Sequence, residues 1–576
     1  MVRKKPDIAT LVETARGDRE ADLVIENGTV VDVFRRKLCK SSVAVKDGYI
    51  VGLGDYRARE VIDAAGMYVA PGLIDGHTHI ESTFLSPQEF GRLCLTSGVT
   101  CVVADPHEIA NVFGLPGVLW MIDMARQSPV RIYYSCPSCV PSSPLESPGG
   151  KIGLKDMAIL RGYSEVIALG EVMDYQGLTL GKRDLIEKVR LFQGLPLEGH
   201  APGLRGKALS AYRVTGVSSD HETEDPEEAE EKLSKGFHVM VREGSIAQNL
   251  KALYPFIEEY QGNSRISIVS DDLNVLDMAD GNYLGRVLAQ GARMGIDPIN
   301  LLCMVTLNTA MRFNLTSLGA VAPGYRADLV IYEDLFEFVP HRVLVGGRVR
   351  YLSGEPVAEA DAPSIMGTGR TVHLPPAFSP ETFRVKKRKK SVKAIEVIPG
   401  QLKNEIVTLP GDVFQGRYAS SVLAWDLVKV CVIERHGGTG RIGKGFVRGL
   451  NLRAGAIALT FAHDAHNLVV AGASDDEMFA AAGLVARMGG GIAALSGRGE
   501  SARLPLKVGG IVSTARYERV VSETKRVKGV CEQISPLGID LVNILSFIAL
   551  PVIPEGRITD KGFIDVRAFR KVPIWA

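Results

Sequence analysis

The sequence predicts an α/β protein in which a (β/α)8, TIM-like barrel is inserted into a small β-sandwich and followed by a mixed α/β domain. Its 576 residues are enough for several domains. The middle of the chain alternates fully apolar strands with helical stretches, the pattern of a parallel sheet covered by helices. Short strands with tight-turn signals flank this region on both sides. The last third of the chain has a mixed helix and strand pattern.

The sandwich is predicted from residues 1–68 together with residues 319–365. Residues 22–32 and 42–53 each form two apolar runs around an Asn-Gly or Asp-Gly turn signal. The same pattern returns after residue 318. We therefore expect both flanks to form one sandwich, which the barrel interrupts.

Residues 69–318 are assigned to the barrel. Apolar strands such as 99–104, 166–170 and 266–270 are separated by helical segments. About 250 residues of this pattern match the length of a (β/α)8 barrel. Active sites of such barrels lie at the C-terminal ends of the strands.

Two segments follow the sandwich. Residues 366–395, rich in Pro, Gly and Ala and without periodicity, are predicted to be a linker. Their basic run at 384–390 is either part of a solvated linker or a nucleic-acid patch, and a neutral chain without interleaved aromatics favours the linker. Residues 396–576 are predicted to form the third domain, whose glycine-rich segments lack the spacing of a phosphate-binding loop.

Charge and hydropathy exclude several classes of partner. Lys+Arg 67 against Asp+Glu 66 leaves a net charge of +1, so no overall field draws the chain to nucleic acid. No apolar run reaches the roughly 18 residues that span a bilayer. The basic N-terminus leads into a polar stretch, not the apolar core of a signal peptide. We expect a cytoplasmic protein with neither a nucleic-acid nor a membrane partner.

Cysteine usage also fits a cytoplasmic protein. Eight cysteines in this length are too few and too scattered for a disulfide scaffold. Cys136 and Cys139 are the one close pair. They are interpreted as buried thiols, since redox or zinc chemistry would need further ligands at suitable spacing.

Candidate metal ligands fall at predicted strand ends. His77 and His79 follow an apolar strand, and as alternate residues they share one face, so both rings can point into the barrel mouth. Later strand ends supply carboxylates and imidazoles, namely Glu171, His200, His221, Asp271 and Asp272. Any single histidine is better explained as a hydrogen-bonded core or surface ring. Unrelated residues, however, have no reason to share this register, so the set predicts a metal centre.

The ligand types limit the metal and the reaction. Four imidazoles and two carboxylates without a convincing thiolate suit one or two divalent ions such as Zn, Mn or Fe. Such an ion lowers the pKa of bound water towards roughly 7. A neighbouring aspartate can take the water proton and pass it to a leaving amine. The residues therefore predict metal-assisted hydrolysis at a carbon bearing nitrogen.

Longer motifs carry a family resemblance. They occupy residues 71–82, 104–111, 137–141, 198–203, 219–222, 241–245, 434–436, 439–443, 462–467 and 565–573. In this order they resemble the amidohydrolase superfamily and, within it, the adenine deaminase family, over nearly the whole chain. The segment 104–111 and the C-terminal segments are more specific than the His-x-His pair, which much of the superfamily shares.

The resemblance implies hydrolysis of adenine, a small purine base, to hypoxanthine and ammonia at a binuclear centre, with Mn or Fe favoured over Zn. Glu171 would bridge the two ions. His77, His79 and Asp271 would bind the more buried ion, and His200 and His221 the other. A bridging hydroxide would attack C6, and Asp271 would accept its proton and deliver it as ammonia leaves. We also expect a homodimer.

The resemblance adds substrate-binding or supporting groups to the site, namely Glu81, Asp105, His107, Arg242 and Glu243. Arg242 and Glu243 are equally well explained as a surface ion pair. In one respect the chain departs from the family. Members commonly carry an arginine soon after the aspartate pair and a Gly-His pair roughly ten residues later, where this chain has Leu273 and Asn282. The departure concerns the substrate pocket and not the hydrolytic centre.

His463 and His466 form a second histidine pair. On a helix they would share a face and bind an additional metal. In a loop they would instead cover the barrel mouth or contribute to a subunit contact.

Three alternatives stay open. The first is the zinc deaminase signature, which His79, Glu81, Cys136 and Cys139 imitate, although Ser135 stands where that signature has proline. The second keeps the metal site but changes the substrate to another aminopurine, a pterin or a cyclic amide. The third is a non-catalytic binding protein that retains a degenerate barrel.

Overall fold

A computed structural model describes residues 7–281, 283–357, 371–398, 401–536 and 538–576. The chain opens with a short helix, α1 (Ile8–Ala15). Seven strands follow: β1 (Ala21–Glu26), β2 (Thr29–Asp32), β3 (Lys37–Lys40), β4 (Val43–Lys46), β5 (Tyr49–Leu53), β6 (Ala58–Asp63) and β7 (Tyr68–Pro71). They are the first half of the predicted sandwich.

Eight parallel strands then form the barrel. They are β8 (Leu73–Thr78), β9 (Val99–Ala104), β10 (Arg131–Cys136), β11 (Val166–Val172), β12 (Leu197–Gly199), β13 (Ser219–Asp220), β14 (His238–Arg242) and β15 (Ile266–Val269). Strands β8 to β12 pair in sequence order, as do β13 to β15. A backbone bond from Ser218 N–H to Leu197 O joins the two groups, and a parallel bridge between Thr78 and Asp271 closes the ring.

Helices surround these strands. They are α2 (Pro87–Cys94), α3 (His107–Phe113), α4 (Leu115–Ala125), α5 (Leu154–Leu160), α6 (Tyr175–Thr179), α7 (Arg183–Leu191), α8 (Gly206–Val214), α9 (Pro226–Ser234), α10 (Tyr254–Glu259), α11 (Val275–Ala279), α12 (Leu284–Arg293), α13 (Pro298–Met304) and α14 (Leu307–Arg312). Because helices cover the outside and side chains fill the inside, a barrel strand such as β9 is buried along its whole length. This accounts for its unbroken apolar sequence.

The chain then returns to the sandwich. Four strands complete it: β16 (Leu329–Tyr332), β17 (Pro340–Val345), β18 (Arg348–Leu352) and β19 (Glu355–Pro356). One sheet has the order β5-β4-β1-β6 and the other the order β19-β18-β17-β16-β7-β2-β3. Side chains of both sheets, including Ile25, Val45, Val69 and Leu329, share one apolar core. The predicted barrel inserted in a sandwich is thus confirmed.

The C-terminal domain is built on an eight-stranded sheet of order β22-β21-β25-β24-β27-β26-β28-β29. Among its described residues the strands are β20 (Val385–Lys386), β21 (Val392–Val397), β22 (Asn404–Leu409), β23 (Tyr418–Ala419), β24 (Val428–Ile433), β25 (Ile442–Arg448), β26 (Ala456–Leu459), β27 (Leu468–Gly472), β28 (Gly491–Leu495), β29 (Ser501–Pro505), β30 (Gly556–Thr559), β31 (Gly562–Asp565) and β32 (Arg570–Lys571). Its helices are α15 (Asp475–Met488), α16 (Tyr517–Ile534) and α17 (Leu541–Phe547). Helix and sheet alternate, as expected for a mixed α/β unit.

The segment 366–395 differs from the predicted linker. Residues 366–370 lie outside the described residues, but Val372 and Phe383 are buried in the apolar core beneath α15, and β21 begins at Val392. The basic run is anchored as well, since the Lys387 ammonium donates to the Phe414 carbonyl. These few apolar anchors are too irregularly spaced to give a periodic signal.

The C-terminal domain covers the mouth of the barrel. The Ser513 N–H donates to the Phe84 carbonyl at 2.7 Å, and the Tyr517 N–H donates to the Glu89 carboxylate at 2.9 Å. Ser147, in the loop after β10, bonds Asp560 at 2.7 Å. All three contacts use loops or helices at the C-terminal ends of barrel strands, where barrel active sites lie. Within the described ranges, no helix is both long and apolar enough to cross a bilayer.

Candidate metal centre and active site

The structure brings all six predicted metal ligands together at the barrel mouth. His77 lies in β8 and Glu171 in β11. His79, His200 and His221 each directly follow a strand, and Asp271 is the second residue after β15. Five of the six are buried, and the His200 side chain is 26% exposed. His200 thus forms the solvent-facing side of the cluster.

His77, His79 and Asp271 form one candidate ligand group. Their ligand atoms all lie within 4.8 Å of one another. Asp271 Oδ1 is 3.4 Å from His77 Nε2 and 3.0 Å from His79 Nε2. The other ring nitrogens have partners: His77 Nδ1 lies 3.3 Å from Glu198 Oε2, and His79 Nδ1 lies 3.0 Å from the Asp105 carbonyl. Those contacts orient both rings towards Asp271, as outer partners of metal-binding histidines do.

Glu171 lies between this group and the other histidines. Its Oε1 is 3.6 Å from His79 Nε2. Its Oε2 is 2.6 Å from His200 Nδ1 and 3.4 Å from His221 Nε2. His77, Glu171 and His221 form a further candidate group. One carboxylate with an oxygen towards each side is the arrangement that a bridging ligand requires.

Asp105 and His107 contact the same carboxylate. Asp105 Oδ2 accepts the Glu171 N–H at 3.1 Å. His107 Nδ1 lies 3.6 Å from Glu171 Oε1, so His79, His107 and Glu171 also form a candidate group. His107 therefore lies beside the predicted ligands, and Asp105 lies behind Glu171 and His79.

Glu81, Arg242 and Glu243 are buried, but only Arg242 touches the predicted ligands. Its Nη1 donates to Asp271 Oδ2 at 3.2 Å and also bonds the Glu222 carboxylate. Glu81 instead accepts the Ile109 N–H at 3.1 Å, and Glu243 accepts the Leu250 N–H at 2.5 Å. Arg242 is thus not a surface ion pair, and Glu81 and Glu243 hold adjoining backbone.

The charges of the cluster suit a cation. Burial by itself raises the pKa of Glu171, but His200 and His221 hold it well below the usual range. Burial opposes protonation of His79 and His200, yet the surrounding carboxylates raise the pKa of His79 to about 10 and that of His200 to about 9. The rings thus hold protons that a bound cation would replace.

Unpartnered atoms indicate the same fit. His107 Nδ1 and Glu198 Oε1 are buried without a hydrogen-bond partner in the described part of the chain. Such atoms are costly unless something occupies the space beside them. Imidazole nitrogens and carboxylate oxygens are the donors that Zn, Mn and Fe accept. The residues present therefore fit one or two divalent ions.

Asp271 has an unusual backbone conformation. Its φ of 59° lies in the left-handed region, which non-glycine residues seldom adopt. Its N–H donates to the His77 carbonyl at 2.9 Å, and its carbonyl accepts the His79 N–H at 3.2 Å. These bonds to the neighbouring strand hold the conformation in place. The strain, of order 1–3 kcal/mol, is typical of functional positions.

A small cavity adjoins Asp271. The barrel contributes Arg242, Asp272 and the loop 244–247 to its wall, and the C-terminal domain contributes Leu402. A substrate in this cavity would lie between Asp271 and the C-terminal domain. Of the two family departures, Leu273 is buried in the apolar core, and Asn282 lies outside the described residues.

His463 and His466 lie in a turn and not on a helix. Their ring centroids are 6.1 Å apart, and the rings contact different oxygens of the Glu108 carboxylate. The geometry does not bring them round one ion as a pair. Instead they contact Glu108, in the helix that follows β9.

The cysteine pair has no place in these groups. Cys136 and Cys139 are buried, and all eight cysteines are free. Every candidate metal group in the described ranges uses imidazoles and carboxylates alone. This disfavours the zinc deaminase signature, which needs two thiolates.

Sequence reasoning missed Glu108, Glu198 and Glu222. Each contacts a histidine of the cluster or of the turn that contains His463. Glu108 and Glu222 directly follow His107 and His221, and Glu198 precedes His200 by two residues. Their closeness in sequence to a histidine of the site is the signal that could have identified them.

Gly170 permits the close approach of Asp105 to Glu171. A Cβ there would lie 2.2 Å from Asp105 Oδ2. We expect Gly170→Ala to displace that carboxylate, to lower stability by about 1–3 kcal/mol and to reduce bound metal. Thermal unfolding and elemental analysis would measure both effects. Gly529→Ala is the matched control, since a Cβ there meets open space. Equal metal content in both variants would contradict this role of Gly170.

A parallel barrel whose mouth gathers imidazoles and carboxylates for divalent ions defines a metal-dependent hydrolase of the amidohydrolase type. The amidohydrolase family model matches residues 68–350, and that of the adenine deaminase C-terminal domain matches residues 404–570. Over 98% of its length the chain is similar to an adenine deaminase of Archaeoglobus fulgidus (42% identity, 98% of that protein). It is likewise similar to adenine deaminase 2 of Carboxydothermus hydrogenoformans (38% identity, 99% of that protein). The chain belongs to the adenine deaminase family.

A comparison with solved structures covers part of the chain. L-hydantoinase from Arthrobacter aurescens matches with a TM-score of 0.45 and 16% identity, covering 59% of this chain and 98% of that one.

Proposed function

We propose that the protein hydrolyses adenine to hypoxanthine and ammonia. The identity of the substrate is inferred from the similarity along nearly the whole chain to proteins named adenine deaminase. The ligand cluster alone would fit any hydrolysis at a carbon bearing nitrogen. The reaction is balanced by one water molecule, whose oxygen replaces the C6 amino group.

His77, His79 and Asp271 would hold one divalent ion, His200 and His221 the other, and Glu171 would serve both. Such ions lower the pKa of water towards roughly 7 and so make hydroxide available at neutral pH. The contacts of Glu171 with His79, His200 and His221 support its bridging position. His107 adjoins the same carboxylate and adds a further imidazole.

Asp271 is the proposed proton carrier. Burial by itself raises its pKa, but His77, His79 and Arg242 hold it well below the usual range, so the carboxylate is ionised and able to accept a proton. It borders the cavity in which a base would lie. Oδ2 would take the proton of the attacking water and return it to the departing amine. Arg242, bonded to Oδ2, orients the carboxylate towards the cavity wall.

Arg242 and the loop 244–247 are the proposed contacts for the base. The guanidinium is a rigid donor, and it adjoins Gly244 and Ala247 in the cavity wall. Leu402, on the opposite domain, offers an apolar surface for the flat face of a purine. A guanidinium thus lies beside Asp271 although Leu273 replaces the arginine usual in the family.

Ammonia release on a panel of amines tests the substrate. The protein should be purified with Mn or Fe supplied and assayed for ammonia release with adenine, other aminopurines and a pterin, and for ring opening with a cyclic amide. We expect adenine to have the highest kcat/KM and chelation to abolish its turnover. Turnover of another heterocycle but not of adenine would overturn the substrate. If the metal-loaded protein hydrolysed none of these compounds, the alternative of a non-catalytic binding protein would be favoured.

Three narrower expectations belong to this proposal. The bound metals are Mn or Fe, the assembly is a homodimer, and the protein acts in the cytoplasm. Eight free cysteines support a reducing compartment. Elemental analysis of protein from unsupplemented cells and sedimentation would check the first two.

A further inference from the structure

A second cluster of buried ionisable side chains, which shares His107 with the first, lies where α3 of the barrel meets the C-terminal domain. The barrel contributes His107 and Glu108, and the turn after β26 contributes His463, Asp464 and His466. Each of the five is no more than 5% exposed. The cluster is therefore an interdomain site closed to solvent.

Glu108 is its centre. Oε1 contacts His463 Nδ1 and lies 3.5 Å from His107 Nε2. The ligand atoms of His107, Glu108 and Asp464 all lie within 4.8 Å of one another. Two ligands of one tetrahedral ion with bonds of about 2.1 Å stand roughly 3.4 Å apart. The separation of His107 and Glu108 fits that value.

His466 supports the cluster without offering a ligand atom. Its Nδ1 accepts the Ala462 N–H at 3.1 Å. A neutral ring that accepts at Nδ1 carries its proton on Nε2, which lies 2.5 Å from Glu108 Oε2. His466 therefore has no free lone pair for a cation. It holds the carboxylate from the side opposite His107.

Further buried carboxyl groups lie near the cluster. Glu81 and Glu146, both buried, lie close enough to Glu108 and Asp464 respectively for their charges to interact. Asp464 Oδ2 is buried and without a hydrogen-bond partner in the described part of the chain. Buried carboxylates require a cation or full hydrogen bonding.

We propose that His107, Glu108 and Asp464 hold a third divalent transition-metal ion, distinct from the two at Glu171, which joins the barrel to the C-terminal domain. One imidazole and two carboxylates are donors that Zn, Mn and Fe accept. His107 connects the two centres, since its Nε2 faces Glu108 and its Nδ1 faces Glu171. The site does not depend on which amine the enzyme hydrolyses.

Metal stoichiometry tests the site. Protein reconstituted with Mn²⁺ and freed of loose metal should carry three equivalents, and Asp464→Asn should carry two. Asp560→Asn is the matched control, because Asp560 is also a buried carboxylate between the same domains but bonds Ser147. It should keep three equivalents. Adenine turnover is not part of this readout, so failure of the proposed substrate leaves the test intact.

Diffraction supplies a measurement that does not rely on a variant folding. Crystals of the native protein loaded with Mn²⁺ should show an anomalous peak between Glu108 and Asp464, besides those at Glu171. Two equivalents in the native protein with no peak at Glu108 would overturn the proposal. Equal losses in Asp464→Asn and Asp560→Asn would overturn it too, since the loss would then reflect the interface and not the ligand.

Discussion

Asp271→Asn is expected to lower adenine turnover by about 10³-fold, within the range that a positioned acid–base group contributes, and to leave most of the bound metal in place. Asparagine retains one oxygen of the carboxylate but cannot carry the proton. It also tolerates the left-handed conformation that φ of 59° imposes. The backbone should therefore stay as it is, and the loss should fall on the chemistry.

The neighbouring aspartate provides the control. Asp272 lines the same cavity, and its carboxylate accepts the Ser82 hydroxyl at 2.5 Å. Asp272→Asn should retain far more turnover than Asp271→Asn at equal metal content. Steady-state ammonia release with elemental analysis would check this. Equal turnover of Asp271→Asn and the native enzyme would remove Asp271 from its proposed role.

Glu171→Gln is expected to have the second large effect, the loss of at least one metal equivalent and of measurable turnover. The carboxylate contacts rings on both sides of the cluster, at His79, His200 and His221. An amide is neutral and a poor bridging ligand. Changes beyond the ligands already cost about 10–100-fold in metal affinity, so removal of a shared ligand should cost more.

Glu165→Gln is the matched control for this variant. Glu165 lies just before β11, at the opposite end of the strand that carries Glu171, and pairs with Arg126 at 2.7 Å. It should keep the native metal content and activity. A Glu171→Gln protein that retained all its metal would show that the carboxylate does not bridge.

Sequence reasoning identified side chains that the structure brings together, because barrel strands obey a simple rule. Strands buried on both faces are uniformly apolar, so a histidine or carboxylate at such a strand's end is conspicuous. His200 and His221 were found in this way although β12 and β13 are only three and two residues long. The fold class followed from the same alternation of apolar strands and helices.

Contacts between segments that are distant in sequence could not be predicted from the sequence. Glu108 and His463 are 355 residues apart in the chain, and neither has a local signal that pairs it with the other. Val372 and Phe383 were assigned to a linker because two anchors among prolines produce no period. Arg242 was left undecided for the same reason, since its partners Glu222 and Asp271 come from other barrel strands.

The pairing of β7 with β16 has a consequence for biosynthesis. Pro71 lies opposite Leu329, so β7, an interior strand of the larger sandwich sheet, waits for a partner that emerges only after the entire barrel has been made. Until then the edge of β7 has an unpaired row of backbone groups, which can pair with other chains. We therefore expect chains truncated within the barrel to aggregate, and the full-length chain to complete its first domain only after its second.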